Sequence, residues 1–211
     1  MITFVKFPVG PLQANAYLVC AGSSAVVIDP GAEGAAIVAE LDRRGCTLEA
    51  VWLTHAHFDH VGGLAELQRL RPVPVLMHEA DAPLLAGARA FAANLGLDIP
   101  EPPQAFTPIA HGETLSVGDQ AATVLHVPGH APGHVAFYFE DAGKVVSGDV
   151  LFRGSVGRTD VPFGDHKTLI NGIAARLFPL GDDTQVLPGH GPNTTIGAER
   201  ATNPFLAELR L

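Results

Sequence analysis

LTHAHFDHVGG, residues 53 to 63, packs three histidines and an aspartate into six positions, directly after the apolar AVWL and directly before two glycines. Each imidazole and carboxylate loses solvation when it is crowded at a strand end. A dense polar cluster of this kind therefore has to be compensated by something bound among its members. Alternating spacing places His55 and His57 two apart, while Asp59 and His60 follow at once and can turn another way. One tetrahedral catalytic ion takes three protein ligands and keeps a position for water, so four ligand-type side chains in one loop exceed what a single ion needs. A second ion accounts for the surplus if further ligands arrive from elsewhere.

They are available. His130 in VPGH, Asp149 in SGD and His190 in LPGH each follow an apolar run, two of them directly after Pro-Gly. The recurring apolar segments ITFVKF, NAYLVC, AVVIDPG, AVWLTH, VPVLMHE, AATVLHVPGH, HVAFYF, KVVSGD and TQVLPGH, each closed by turn residues, predict strands. Helical spacing lies between several of them, in AEGAAIVAELDRRG, VGGLAELQRLRP, DAPLLAGARAFAANLG, DHKTLINGIAARLFP and GAERATNPFLAELRL. The fold class is α/β. The polar residues of interest follow five of the strands, so their ends are expected to meet on one rim. Gly62 and Gly63 allow the next helix to approach that rim without a Cβ in the way.

Bulk properties bound the rest. With 211 residues and 47% apolar content, the chain suffices for a single domain with two related halves, joined through the proline-rich residues 98 to 113. Thirteen Lys and Arg against 22 Asp and Glu give a formal charge of −9 with no basic patch, which argues against a nucleic-acid partner. No apolar stretch reaches membrane-spanning length. The opening MITFVKFPVG lacks the basic, apolar and small-residue regions of a secretory leader, so a cytoplasmic location is expected. Cys20 and Cys46 show no CxxC spacing and are expected to be reduced thiols. There is no GxSxG motif, and Ser155 is taken as a loop residue. His78, His111, His126 and His166 are isolated and are expected to be hydrogen-bonded loop residues.

THAHFDH, with His130, GDVLF around Asp149, and His190, resembles the metallo-β-lactamase fold superfamily over nearly the whole chain. The resemblance implies a four-layer αββα sandwich with a two-metal site at one edge of the sheets. It also implies one ion on His55, His57 and His130, a second on Asp59, His60 and His190, and Asp149 bridging. Asp59 and His60 thereby take catalytic roles. Asp29 in VIDPG is similar to the family's aspartate that orients ligands without binding metal, and His134 is expected to support rather than ligate. The ions implied are divalent, zinc foremost, with iron or manganese also accommodated by a His/Asp set.

PGHAPGH, GDVLFRGSVGRTD and LPGHGPNTTIGAERATNPFL resemble the single-domain bacterial glyoxalase II type within that superfamily. This implies hydrolysis of S-2-hydroxyacylglutathione thioesters, such as S-lactoylglutathione, by a metal-bridging hydroxide. The partner is then a small glutathione-linked molecule. Arg158 falls where that type has a basic residue near the glutathione carboxylates, and it either anchors a substrate carboxylate or is tied to Asp160 or to backbone carbonyls. Zinc β-lactamases of the common type carry a Cys in place of Asp149 and lack the His60 ligand, which argues against antibiotic hydrolysis. GRTD also resembles persulfide dioxygenases, in which His55, His130 and Asp149 would hold a single iron. A non-catalytic metal-binding module is the third reading, against which stands the retention of every ligand.

Overall fold

The computed structural model describes residues 1–210 and divides into two compact units, Met1–Ile109 with Ser116–Gln120, and Ala110–Leu115 with the described residues from Ala121 onward. The boundary at 109/110 falls inside the proline-rich segment.

The first unit runs β1 (Ile2–Val9), β2 (Ala14–Ala21), β3 (Ser24–Ile28), α1 (Gly34–Arg43), β4 (Thr47–Trp52), α2 (Phe58–Val61), α3 (Leu64–Leu70), β5 (Val75–Met77), α4 (Ala82–Asn94) and β6 (Thr107–Pro108). Its sheet has the order β1-β2-β3-β4-β5-β6. The first three strands are antiparallel hairpin neighbours, and from β3 onward the pairs are parallel. Parallel strands buried on both faces read as continuous apolar runs rather than alternating ones. That is the character of AVVI and AVW. The core joins Leu18, Val27 and Val51 of the strands to Ile37 and Leu41 of α1, Leu64 and Leu67 of α3 and Leu85 of α4. Burying a leucine side chain of this kind contributes about 2 kcal/mol.

The chain continues through β7 (Thr114–Val117), β8 (Gln120–His126), β9 (Val135–Phe139), β10 (Lys144–Gly148), β11 (Leu151–Phe152), β12 (Ser155–Val156), α5 (His166–Gly172), β13 (Gln185–Pro188), β14 (Thr194–Thr195) and α6 (Ile196–Thr202). The second six-stranded sheet has the order β14-β13-β10-β9-β8-β7, and β11 and β12 form a separate two-stranded hairpin. Leu125, Ala136, Val145 and Val186 pack with Leu169, Ile173, Leu177 and Ile196 in the core of the second unit.

Two local features depart from the sequence expectation. The closing GAERATNPFLAELRL is not one helix: α6 stops at Thr202 and a 3₁₀ stretch, Pro204–Arg210, follows. Asn203 is extended, at φ −66° and ψ 119°, because the Pro204 ring disfavours the helical region for its predecessor. The other is a set of very short strands, β6, β11, β12 and β14, each two residues long. Two residues carry no periodicity, and these strands exist only because a partner lies alongside. Among the described residues no helix is long and apolar enough to cross a membrane.

Candidate metal centre

In the first unit, β3 and β4 are parallel neighbours and end together, with the Asp29 N–H donating to the Trp52 carbonyl at 3.1 Å. Asp29 then adopts φ +53°, a left-handed conformation that aspartate tolerates better than most residues. This turns its carboxylate into the protein, where it is 1% exposed. Oδ1 accepts from the Thr54 N–H at 2.7 Å; Oδ2 accepts from the Thr54 hydroxyl at 2.6 Å and faces His60 Nδ1 at 3.0 Å.

These contacts decide the tautomers. The only Thr54 hydroxyl proton goes to Asp29, so the same oxygen, 3.0 Å from His55 Nδ1, accepts there and Nδ1 carries the hydrogen. His60 Nδ1 likewise donates to the carboxylate. In both rings Nε2 is therefore the nitrogen with the lone pair. Asp29, His55 and His60 bring ligand-type atoms within 4.8 Å of one another. The Asp29 oxygens already serve three donors, however, so the trio is a hydrogen-bonded hub that aims two imidazoles.

The rings of His57 and His60 lie 4.8 and 4.2 Å from that of His55, centroid to centroid. Asp59 Oδ2 is 3.8 Å from His60 Nε2. One anchor went unforeseen: Asp81, 1% exposed, accepts the Ala56 N–H at 3.0 Å and so grips the backbone between His55 and His57. Its single sequence signal is its place four residues beyond β5, at the same sheet edge. Gly31 is the tightest approach, since a Cβ there would lie 1.8 Å from the Asp59 carbonyl oxygen. Gly62 and Gly63 pack against the backbone of residues 30 to 32 in the same way, where a Cβ would come within 2.7 Å of the Gly31 and Pro30 oxygens. A cleft of about 560 Å³ lies beside them, with Asp59, Phe58, Leu97 and Ile99 in its wall.

In the second unit, β8 and β10 are both antiparallel to β9, and β13 is parallel to β10, so His130, Asp149 and His190 leave three strand ends on one edge. Beside β13, β10 carries a bulge between Val146 and Gly148, and Gly148 has φ +49°, a turn that suits glycine and swings Asp149 out of the ladder. Asp149 Oδ2 lies 3.6 Å from His130 Nε2 and 3.6 Å from His190 Nε2. These separations exceed a hydrogen bond. They come close to the roughly 3.4 Å between two ligand atoms on a tetrahedral ion with bonds of about 2.1 Å. His130 Nδ1 is 2.7 Å from the Arg158 carbonyl, which can only accept, so in this ring too Nε2 carries the lone pair. In each unit, imidazoles that offer Nε2 beside a carboxylate are donors of the kind that suit a divalent transition ion.

His134, fully buried, accepts the Asp149 N–H on Nε2 at 3.0 Å. Gly157 seats on Asp149, where a Cβ would lie 1.9 Å from its carbonyl oxygen. The exposed Arg158 guanidinium makes a bidentate pair with Asp160 at 2.8 and 2.9 Å, and that pairing holds the Asp160 carboxyl below its ordinary pKa. His78 caps a 3₁₀ turn through the Ala80 N–H, His111 accepts from the His126 N–H, and the His126 ring bonds the Pro132 carbonyl. His166 begins α5.

The Haemophilus influenzae hydroxyacylglutathione hydrolase GloC is 38% identical to the chain over 204 residues, covering 94% of this chain and 95% of that protein. A solved structure of TTHA1623 in a di-iron-bound form superposes with a TM-score of 0.90 at 48% identity, covering 96% of this chain and all of that one. The B3 metallo-β-lactamase BLEG-1 does so with a TM-score of 0.90 at 38% identity, covering 97% of this chain and all of that one. Residues 9–190 match the family model of the metallo-β-lactamase superfamily, and the chain belongs to that superfamily and has its α/β fold.

Proposed function

We propose that the protein is a binuclear metal-dependent thioester hydrolase acting on S-2-hydroxyacylglutathione, with S-lactoylglutathione as the first substrate to test. The observation that carries this reading is the fixed tautomer of His55, His60 and His130, each anchored through Nδ1 so that Nε2 is the ligand nitrogen. In this proposal His55, His57 and His130 would hold one ion, Asp59, His60 and His190 would hold the other, and Asp149 would contribute to both. Zinc is the first expectation, and iron is the alternative that the di-iron form of TTHA1623 supports. The similarity to GloC supports the choice of substrate.

Two bound divalent ions would supply a water ionised near neutral pH and polarise the thioester carbonyl. The residues of the chain do the rest. Asp29 keeps the proton of His60 on Nδ1 throughout, and the Arg158 carbonyl does the same for His130. His134 fixes the backbone of Asp149 by accepting its N–H. Water adds to the carbonyl carbon, the C–S bond breaks, and the products are a carboxylate, a thiol and one proton released to solvent. A thiolate leaves without a general acid, so no further proton donor is required of the protein. Arg158 is proposed to anchor a glutathione carboxylate, with Asp160 holding its guanidinium in place through Nε and Nη2.

The similarity to BLEG-1 favours a second reading, hydrolysis of a cyclic amide by the same donor set. The test is metal content of the purified protein together with initial rates on S-lactoylglutathione and on a chromogenic cephalosporin. Two ions per chain, with thioester hydrolysis reduced at least ~100-fold in Asp59→Ala and in His60→Ala, is the expected result. Full activity in both variants overturns the two-ion assignment. Turnover of the cephalosporin alone moves the activity to the second reading. One iron per chain with oxygen consumed on glutathione persulfide would make it a dioxygenase.

A further inference from the structure

The stretch NTTIGAERATNPF, residues 193 to 205, contributes no ligand to the proposed ions, yet it buries a carboxylate. Glu199 is 2% exposed and Asn203, one helical turn on, is fully buried. Three donors converge on Glu199: the Gly154 N–H at 2.7 Å and Asn203 Nδ2 at 2.8 Å on Oε2, and the Thr194 hydroxyl at 2.5 Å on Oε1. Asn203 Nδ2 also donates to the Ser155 carbonyl at 3.0 Å, and its Oδ1 accepts the Phe205 N–H at 3.0 Å.

The donors belong to the segments that follow two ligands. Gly154 lies in the turn of the β11–β12 hairpin and Ser155 opens β12; the hairpin starts two residues after Asp149. Thr194 stands four residues after His190. The hairpin returns to place the Gly157 N–H on the Val150 carbonyl at 3.3 Å, Gly157 on the Asp149 carbonyl, and the Arg158 carbonyl on His130 Nδ1. Glu199 thus ties the turn of the element that anchors His130 and Asp149 to the segment leaving His190.

We infer that Glu199, with Asn203, is a positioning residue of the metal centre: it clamps the β11–β12 turn to the post-His190 segment so that His130, Asp149 and His190 hold ligand spacing before an ion arrives. The inference rests on the metal reading above. Partners one shell out from metal ligands typically change affinity by about 10- to 100-fold when removed.

The test uses full-length protein, zinc affinity by competition with a chromophoric chelator, and the visible spectrum of the cobalt form, at a temperature where circular dichroism shows the fold intact. Glu199→Leu is expected to lower zinc affinity by about 10- to 100-fold and to alter the cobalt spectrum. Glu199→Gln is expected to recover most of both, because its Oε1 can accept from Gly154 and Asn203 while its amide NH₂ donates to a rotated Thr194 hydroxyl. Wild-type affinity and spectrum in a folded Glu199→Leu overturn the inference even if its melting temperature falls. If that variant does not fold, Thr194→Val decides: a several-fold loss of affinity supports the clamp, and an unchanged affinity overturns it. A wild-type protein that binds no divalent ion removes the metal reading and this inference together, whereas two ions bound equally by wild type and variants removes the inference alone.

Discussion

The two units hold their candidate ligands by opposite means. In the first, four candidate ligands lie within residues 55 to 60, and one buried carboxylate, Asp29, aims two of the imidazoles either directly or through Thr54. In the second, three candidate ligands come from three strand ends between residues 130 and 190; the Arg158 carbonyl aims His130 and the His134 imidazole holds the Asp149 backbone. A compact loop can be organised by one hub. Ligands dispersed along the chain need the sheet register and several separate anchors. Both units nevertheless share one device, a glycine seated on the carbonyl of the aspartate ligand: Gly31 on Asp59 and Gly157 on Asp149.

The shared device is where the parallel is easiest to break. Gly31→Ala and Gly157→Ala each push a Cβ to 1.8 or 1.9 Å from a backbone oxygen, and no side chain can yield to relieve it. Each is expected to lose about 3 kcal/mol or more, read as a shifted urea midpoint. A large loss in only one of them would show that the two seats are not equivalent.

The hub comes next. Asp29→Ala deprives the Thr54 N–H, the Thr54 hydroxyl and the His60 Nδ1–H of their acceptor, and a loss of about 2–3 kcal/mol is expected in the same assay. Asp29→Asn sharpens the point, because its NH₂ in the Oδ2 position would face His60 Nδ1 and force the proton to Nε2. Nitrogen-15 NMR of the imidazoles should then show His60 in the Nε2–H form, and an unchanged spectrum would contradict the hub.

Asp81→Ala tests the lesser anchor of the same loop, the carboxylate that accepts the Ala56 N–H. About 1–2 kcal/mol is the expected loss by thermal or urea unfolding. In the second unit, Arg158→Ala removes only an exposed pair with Asp160 and should alter stability by less than about 0.5 kcal/mol. If Arg158 anchors substrate, KM for glutathione thioesters rises severalfold while kcat holds. An unchanged KM ends that role.

The smallest effect is a control on α1. Hydrogen bonds from Arg43 and Arg44 lower the Glu40 carboxyl from 4.5 to about 2. A depressed folded-state pKa means that the pair contributes above pH 4.5 and is lost as the pH falls toward 2. Glu40→Gln should therefore match wild type at the acid end of a pH series and fall slightly below it at pH 7, with the gap closing in high salt.

Much of the candidate site is legible because it is written locally. HAHFDH places its ligand types within six residues, and VPGH, SGD and LPGH each mark a strand end by an apolar run followed by turn residues. The longer strands and the helices α1, α3 and α4 were legible for the same reason, through periodicity sustained over several residues. The final helix was misread because helical spacing in GAERATNPFLAELRL outweighed the steric rule for the residue before Pro204.

The sequence by itself determined the α/β class, the residue types of the donor set, and the points at which they leave the strands, since these depend on side-chain chemistry and near neighbours. Tertiary structure alone decided which nitrogen His55, His60 and His130 present, that Asp81 grips Ala56, and that Glu199 gathers donors from segments as far away as Gly154. Those outcomes turn on atoms meeting within about 3 Å across tens of residues. Strand register and the close approach of Cβ-less glycines set such meetings, and neither leaves a periodic trace along the chain.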